Sequence, residues 1–255
     1  MIAKTQEDFD SLRESGKILS GALKETLKLV KAGVTTAALD IAAEEYIRAH
    51  GGVPAFLNYK PSGGVYPFPA ALCVTINDEV AHGIPSEHRV IAEGDIVSLD
   101  LGVSYNGYIT DAAVACIVGE GDDASRRLLA AARETLRVAV AAMKAGAHAE
   151  DAGAAVQIVA RKYGVAIVED LGGHAVGKSV HEKPYIPNVG TKGVGEILPE
   201  GIVLALEPHL TLGKGDIVLE DDQWTYSTRD GSRAAHFEQT IILNKEGVEI
   251  LTPFI

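Results

Sequence analysis

The 255-residue sequence predicts one α+β domain with pseudo-two-fold symmetry, sheets at its centre and helices against one face. Three observations carry that reading. The run EGDIVSLD (Glu93 to Asp100) reappears as EGIVLALE (Glu200 to Glu207), so two short apolar strands end on a carboxylate at the same offset. Lys31-Ala32-Gly33 and Gly51 in the first half have counterparts in Lys144-Ala145-Gly146 and Gly164, displaced by the same number of residues, as an internal duplication would leave them. The strand-like runs also gather in hairpins instead of alternating singly with helices, which disfavours a doubly wound sheet. The halves run from about 1–118 and 119–255.

Each element follows from local chemistry. Thr5 with Asp8 forms a capping-box pattern, and Phe9, Leu12, Leu19, Leu23, Leu27 and Val30 then trace one helical face, up to Lys31-Ala32-Gly33. Thr35 or Thr36 caps a second helix carrying Leu39, Ala42, Ala43, Tyr46 and Ile47, stopped by Gly51 and Gly52. In the second half, Asp123 or Ser125 opens a helix with Leu128, Leu129, Ala132, Leu136, Ala139 and Met143 inward, ending at Lys144-Ala145-Gly146. A fourth helix spans about Glu150 to Tyr163 and stops at Gly164.

Between the helices, Asn106-Gly107 separates Val97–Tyr105 from Tyr108–Val118 and signals a two-residue hairpin turn. That register sets Gly102 opposite Asp111 and leaves Asp100 two residues along on the same face. Two neighbouring carboxylates repel unless they share protons or a cation. Glu207 ends the apolar run IVLAL before Pro208, and a carboxylate delivered there is costly to bury alone. Glu238 alternates with Phe237 ahead of TIIL, and His174 sits between glycines in LGGHAVG. Singly, each has a plain reading: a surface hairpin, a strand end turned to solvent, an edge residue. Four carboxylates from duplicated strands plus one histidine suit a two-metal centre better.

Composition bounds the rest. A net charge of −12 argues against a broad nucleic-acid surface, and no apolar run reaches bilayer-spanning length. Cys73 and Cys116 lie in apolar strands, so no disulfide framework is expected. The opening MIAKTQEDFD lacks a signal-peptide core, and the expected location is the cytoplasm. His82 reads as a turn residue and His181 as a loop residue; His50 and His148 lie near helix ends, and spacing assigns no role to His88, His209 or His236.

INDEVAHGIP, DLGVSYNGYITDAA, GHAVG with VHEKPYIPN, LEP, DDQWT and HFEQT occur in an order that resembles type I methionine aminopeptidases of the "pita-bread" metallopeptidase family, over nearly the whole chain. The resemblance implies antiparallel sheets with helices outside, and two divalent ions (Mn, Fe, Co or Zn) held by Asp100, Asp111, His174, Glu207 and Glu238. Asp111 and Glu238 match the bridging carboxylates, Asp100 the chelator of one ion, and His174 and Glu207 complete the other. It further implies that His82, His181 and Glu207 serve catalysis. Phe56, Tyr59, Phe68, Cys73, Val180 and Trp224, with the two histidines, would hold a methionine side chain. Trp224 is equally read as a core anchor for DDQWT. The implied activity is removal of the initiator methionine from nascent proteins whose second residue is small. The implied partners are a peptide or nascent-protein N-terminus and a transient ribosome contact, with no DNA or membrane, for a monomer.

Departures from the family pattern concentrate in the pocket. Phe56 and Asn58 replace a common cysteine and glycine, Val180 replaces a common phenylalanine, and Ala175 adds a methyl beside His174. Phe56 and Val180 would conserve pocket volume if they face each other. The stretch Lys60 to Ala71 is longer than its usual counterpart and should reshape the entrance. Rival readings are a proline-directed aminopeptidase or dipeptidase, a catalytically silent binding module of the same fold, and, more remotely, an oxygen-activating iron enzyme.

Overall fold

A computed structural model describes residues 1–61 and 63–253; Ser62, inside the long entrance stretch, lies outside the described residues. Its four helices are α1 (Gln6–Leu27), α2 (Thr36–Ala49), α3 (Asp123–Ala142) and α4 (Asp151–Tyr163). Thr5 and Asp8 close the expected capping box on α1, and Leu12, Leu19 and Leu23 are buried along its inner face. The helix stops at Leu27, short of Lys31-Ala32-Gly33. The Leu29 and Val30 N–H groups turn to the carbonyls three residues back, Thr26 (2.9 Å) and Leu27 (3.2 Å), and further on the Gly33 N–H is taken by the Ile91 carbonyl (2.8 Å).

The start of α3 also differs from expectation. Asp122, rather than Asp123 or Ser125, is the N-cap, and its carboxylate accepts the Ser125 N–H at 2.7 Å. Arg233 pairs with Asp122 at 2.7 Å and so fixes the capping rotamer from another part of the chain. At its far end α3 gives way at Met143, which is extended, and the Ala145 and Gly146 N–H groups are captured by Asn244 (2.9 Å) and Leu198 (2.8 Å). Gly164, in the left-handed conformation, terminates α4 as expected.

The sheets are antiparallel throughout the described residues. One joins Val53–Pro54, Leu72–Ile76, Ile96–Tyr105 and Tyr108–Ile117; a five-stranded sheet runs in the order Val248–Ile250, Gln239–Leu243, Val203–Leu206, Gly172–Ala175, Glu182–Pro187. Two small three-stranded sheets complete the framework. The core lies between sheets and helices: Leu19, Leu23, Leu39 and Ile47 meet Leu99, Leu101 and Val103, while Leu128 and Leu136 of α3 share the same cluster as Leu204 and Leu210. Truncating a fully buried leucine there, such as Leu99, would cost about 2–5 kcal/mol. No described helix is long and apolar enough to cross a membrane.

Candidate metal centre

Two hairpin-like ladders deliver the acidic groups. In the first, Gly102 pairs with Asp111 and Asp100 with Ala113, the register that the Asn106-Gly107 turn predicts. Residues paired across strands share a face, so Asp100, Asp111 and also Cys73, which pairs with Asp100 on the other side, project together. In the second ladder Gln239 pairs with Leu206, which leaves Glu207 and Glu238 facing one another just past its end. Asp100 therefore sits within a continuous strand, whereas Glu207 follows one.

A seam joins the two ladders. Ala113 and Glu238 exchange backbone hydrogen bonds (2.9 and 3.4 Å). The Thr240 hydroxyl accepts the Asp111 N–H at 2.8 Å and donates to the Asp111 carbonyl at 2.6 Å. His174 reaches the same point because its strand pairs with Val203–Leu206, His174 opposite Ala205. The glycine before it has a structural purpose: a Cβ on Gly173 would lie 2.4 Å from the Ala205 carbonyl oxygen. That glycine thus admits the neighbouring strand rather than a metal.

Donor atoms of Asp111, His174 and Glu238 lie within 4.8 Å of one another, all buried. Oδ1 of Asp100, Oδ1 of Asp111 and Oε1 of Glu238 are buried without a hydrogen-bond partner among the described residues. Burial pushes the carboxyls of Asp100, Asp111 and Glu238 well above the ordinary range, and their neighbours' charges add to it. Burial also raises Glu207 to about 8. The histidine chemistry agrees. His174 Nδ1 lies 3.0 Å from the Ala175 carbonyl, which can only accept, so Nδ1 carries the proton and Nε2 keeps its lone pair. That lone pair faces Glu207 Oε1 at 3.3 Å. Burial lowers His174 to about 4, so at neutral pH the imidazole is uncharged and this is no ion pair; its nitrogen and the carboxyl converge on one space. Unpartnered oxygens, mutual repulsion and a free imidazole nitrogen make a donor set that fits divalent cations.

The five residues line a cavity that, with its mouth open to solvent, holds about 420 Å³ of empty space, and its remaining wall is Phe56, Tyr59, Phe68, Cys73, His82, Val180, His181 and Trp224. Phe56, Phe68, Cys73 and Val180 belong to one buried apolar cluster, with Tyr59 and Trp224 packed against it. Trp224 stands edge-on to Phe68 at 5.1 Å between ring centroids and to His82 at 6.1 Å. The space for Phe56 comes from Gly102, where a Cβ would lie 2.6 Å from the Phe56 ring. Ala175 packs into the main core, so its methyl does not narrow the cavity. Within the long entrance stretch, Tyr66 hydrogen-bonds the Asp222 carbonyl and lies edge-on to Trp224.

At the mouth, Tyr59 and His181 Nδ1 are hydrogen-bonded at 2.8 Å, and the His181 and His174 rings lie 4.4 Å apart. His82 holds a left-handed backbone (φ 57°), unusual for a non-glycine residue and concentrated at functional sites. Burial, then the nearby His181 and His174, lowers its pKa to about 4. Sequence spacing gave no role to His209 and His236. The structure stacks them, buried, at 4.3 Å, with His209 Nε2 3.6 Å from Glu207 Oε2. The one available signal was that His236 alternates onto the face of Glu238.

The sequence profile of metallopeptidase family M24 matches residues 10–245. A methionine aminopeptidase of Treponema pallidum is 43% identical over 250 residues, covering 98% of this chain and 95% of that protein. One from Aquifex aeolicus is 40% identical over 251 residues, 97% of each. The crystal structure of methionine aminopeptidase from Thermotoga maritima superposes with a TM-score of 0.93 at 39% identity, over 99% of both chains.

Proposed function

The chain belongs to metallopeptidase family M24, and on that premise we propose that it is a metal-dependent aminopeptidase removing N-terminal methionine from peptides and nascent proteins with a small second residue. The observation that carries this reading is the convergence of Asp111, His174 and Glu238 at the floor of an apolar cavity. We read the fold as one domain of two related halves, with the centre on their seam.

Asp100, Asp111, His174, Glu207 and Glu238 would hold two divalent cations, which supply an activated water and polarise the scissile carbonyl. Asp111 and Glu238 would contribute to holding them from opposite sides of the seam. The walls from Phe56, Phe68, Cys73, Val180 and Trp224 exclude water from an unbranched, polarisable methionine side chain. Glu207, ionised once it holds a cation, would take a proton from the attacking water and return it to the leaving amine. His82 and His181, neutral on the substrate side, orient the peptide and hydrogen-bond the developing oxyanion. The protein acts in the cytoplasm as a monomer, meeting nascent chains near the ribosome.

Hydrolysis of Met-Gly-Met-Met under reducing conditions, after chelation and resupply of Mn²⁺, Fe²⁺, Co²⁺ or Zn²⁺ separately, tests the proposal. Cleavage should vanish on chelation and return with metal, and X-Pro peptides should remain intact. Cleavage of X-Pro peptides instead would favour a proline-directed enzyme; reconstituted protein that binds metal yet cuts neither would indicate a silent module.

A further inference from the structure

Gly172–Ala175 and Glu182–Pro187 are neighbouring strands, and the loop between them carries both Val180 and His181 of the cavity wall. Ala175 pairs with Glu182 at the base of that loop. The Glu182 side chain then turns back across it. Its Oε1 accepts the backbone N–H of Lys178 at 2.6 Å and of Ser179 at 2.9 Å. Its Oε2 meets the Met1 amino group at 2.6 Å, with the two side chains 22% and 10% exposed. The same amino group donates to the Val176 carbonyl at 2.8 Å, and the Val203 N–H donates to the Met1 carbonyl at 3.0 Å. One half-buried carboxylate therefore ties three segments together: the loop, the first residue and the strand leading to Glu207.

We propose that Glu182 is a positioning residue for the substrate side of the cavity, fixing the 176–181 loop through its two backbone acceptances and its ion pair with Met1. The proposal rests on the reading of His181 as a substrate-orienting group. Physically, a loop must be held by bonds that outlast peptide binding if its imidazole is to be in place beforehand. Charge-assisted hydrogen bonds are the stronger kind, and here one carboxylate accepts three. The Tyr59 contact restrains the His181 ring from the opposite wall, so the ring is gripped between two anchors. Among the described residues Glu182 makes no hydrogen bond to the metal donors, and it acts through the loop and Met1.

Glu182→Ala, Glu182→Gln, His181→Ala, the His181→Ala/Glu182→Ala pair and a chain extended by two residues before Met1 test this. Each is assayed for turnover of Met-Gly-Met-Met and for metal content, and those that keep His181 also for its ¹⁵N imidazole resonances. Misplacing a reacting group by about 1 Å costs up to ~100-fold. Turnover should therefore fall roughly ten- to a hundredfold in Glu182→Ala, and less in Glu182→Gln, which keeps an oxygen for the loop. The extended chain should resemble Glu182→Gln, with metal content unchanged and the His181 resonances shifted or broadened in all three. The double variant should be no slower than His181→Ala, since the loss passes through His181. Wild-type turnover in Glu182→Ala, multiplying losses in the double variant, or metal lost in step with activity would each overturn the proposal. If Glu182→Ala does not fold, normal turnover of both Glu182→Gln and the extended chain overturns it. Full activity of His181→Ala would strike the reading of His181 itself, and unmoved His181 resonances in Glu182→Gln would then still refute the positioning.

Discussion

Gly102→Ala isolates the contact that shapes the methionine pocket. An added Cβ would stand 2.6 Å from Phe56 Cε1, 2.9 Å from Cδ1 and 3.1 Å from the Ala55 Cβ. Carbon atoms pack comfortably near ~3.5–4.0 Å, so the ring must retreat by roughly 1 Å. The Phe56 ring lines the cavity, so its retreat takes space from the pocket. Overpacking of this kind costs about 1–3 kcal/mol, or a drop in Tm of about 2–4 °C per kcal/mol for a chain of this size. Space lost in an apolar pocket is worth about as much again, since one methylene changes discrimination by ~10–200-fold. KM for Met-Gly-Met-Met should therefore rise about tenfold, with kcat changed less, because the acidic centre lies on other residues. Combining Gly102→Ala with Phe56→Leu should restore much of the loss by removing the ring edge. Steady-state kinetics and thermal melts of the two single variants and the pair decide the matter. Wild-type KM and Tm in Gly102→Ala, or a double variant that simply adds the two losses, would refute the packing argument.

Other tests follow from the centre and its seam. His82→Ala should keep bound metal but lose about 10²-fold in turnover, and a large fall in metal content would contradict its place on the substrate side. Metal-free protein should lose stability as pH rises from about 4.5 toward 8. Across that window the folded state retains the Glu207 proton, which the unfolded chain has already released. Divalent metal should reverse the trend and release protons on binding, measurable by calorimetry in buffers of different ionisation enthalpy. A pH-independent melt of the chelated protein would be inconsistent with that charge state. Thr240→Val removes both hydrogen bonds that clasp Asp111 and should cost about 1–3 kcal/mol while weakening metal uptake; unchanged metal affinity would mean that Asp111 is placed without it.

What could be read from sequence depended on how local the physics was. The Asn106-Gly107 turn fixes its own register, so Asp111 opposite Gly102 was legible from a few residues. The same holds for Thr5 and Asp8 at the start of α1. Features requiring distant partners were not. Asp122 became the cap of α3 with Arg233 beside it, and Gly33, expected to end α1, instead pairs its N–H with the Ile91 carbonyl. Phe56 was expected to trade volume with Val180; they do share a cluster, but the intimate fit is between Phe56 and Gly102, which no periodicity flags. His209 and His236 are adjacent only once two strands have paired, so their stacking left no trace in spacing.

The paired backbone bonds of Ala113 and Glu238 set one acidic group on each bank of a junction between the two ladders. Cations lodged there would work as rivets, and stripping them would leave crowded buried carboxyls with nothing to tie the two banks together. Hydrogen exchange should therefore quicken first along Ala112–Val114 and Gln239–Ile241 when the protein is chelated, well before the helices loosen.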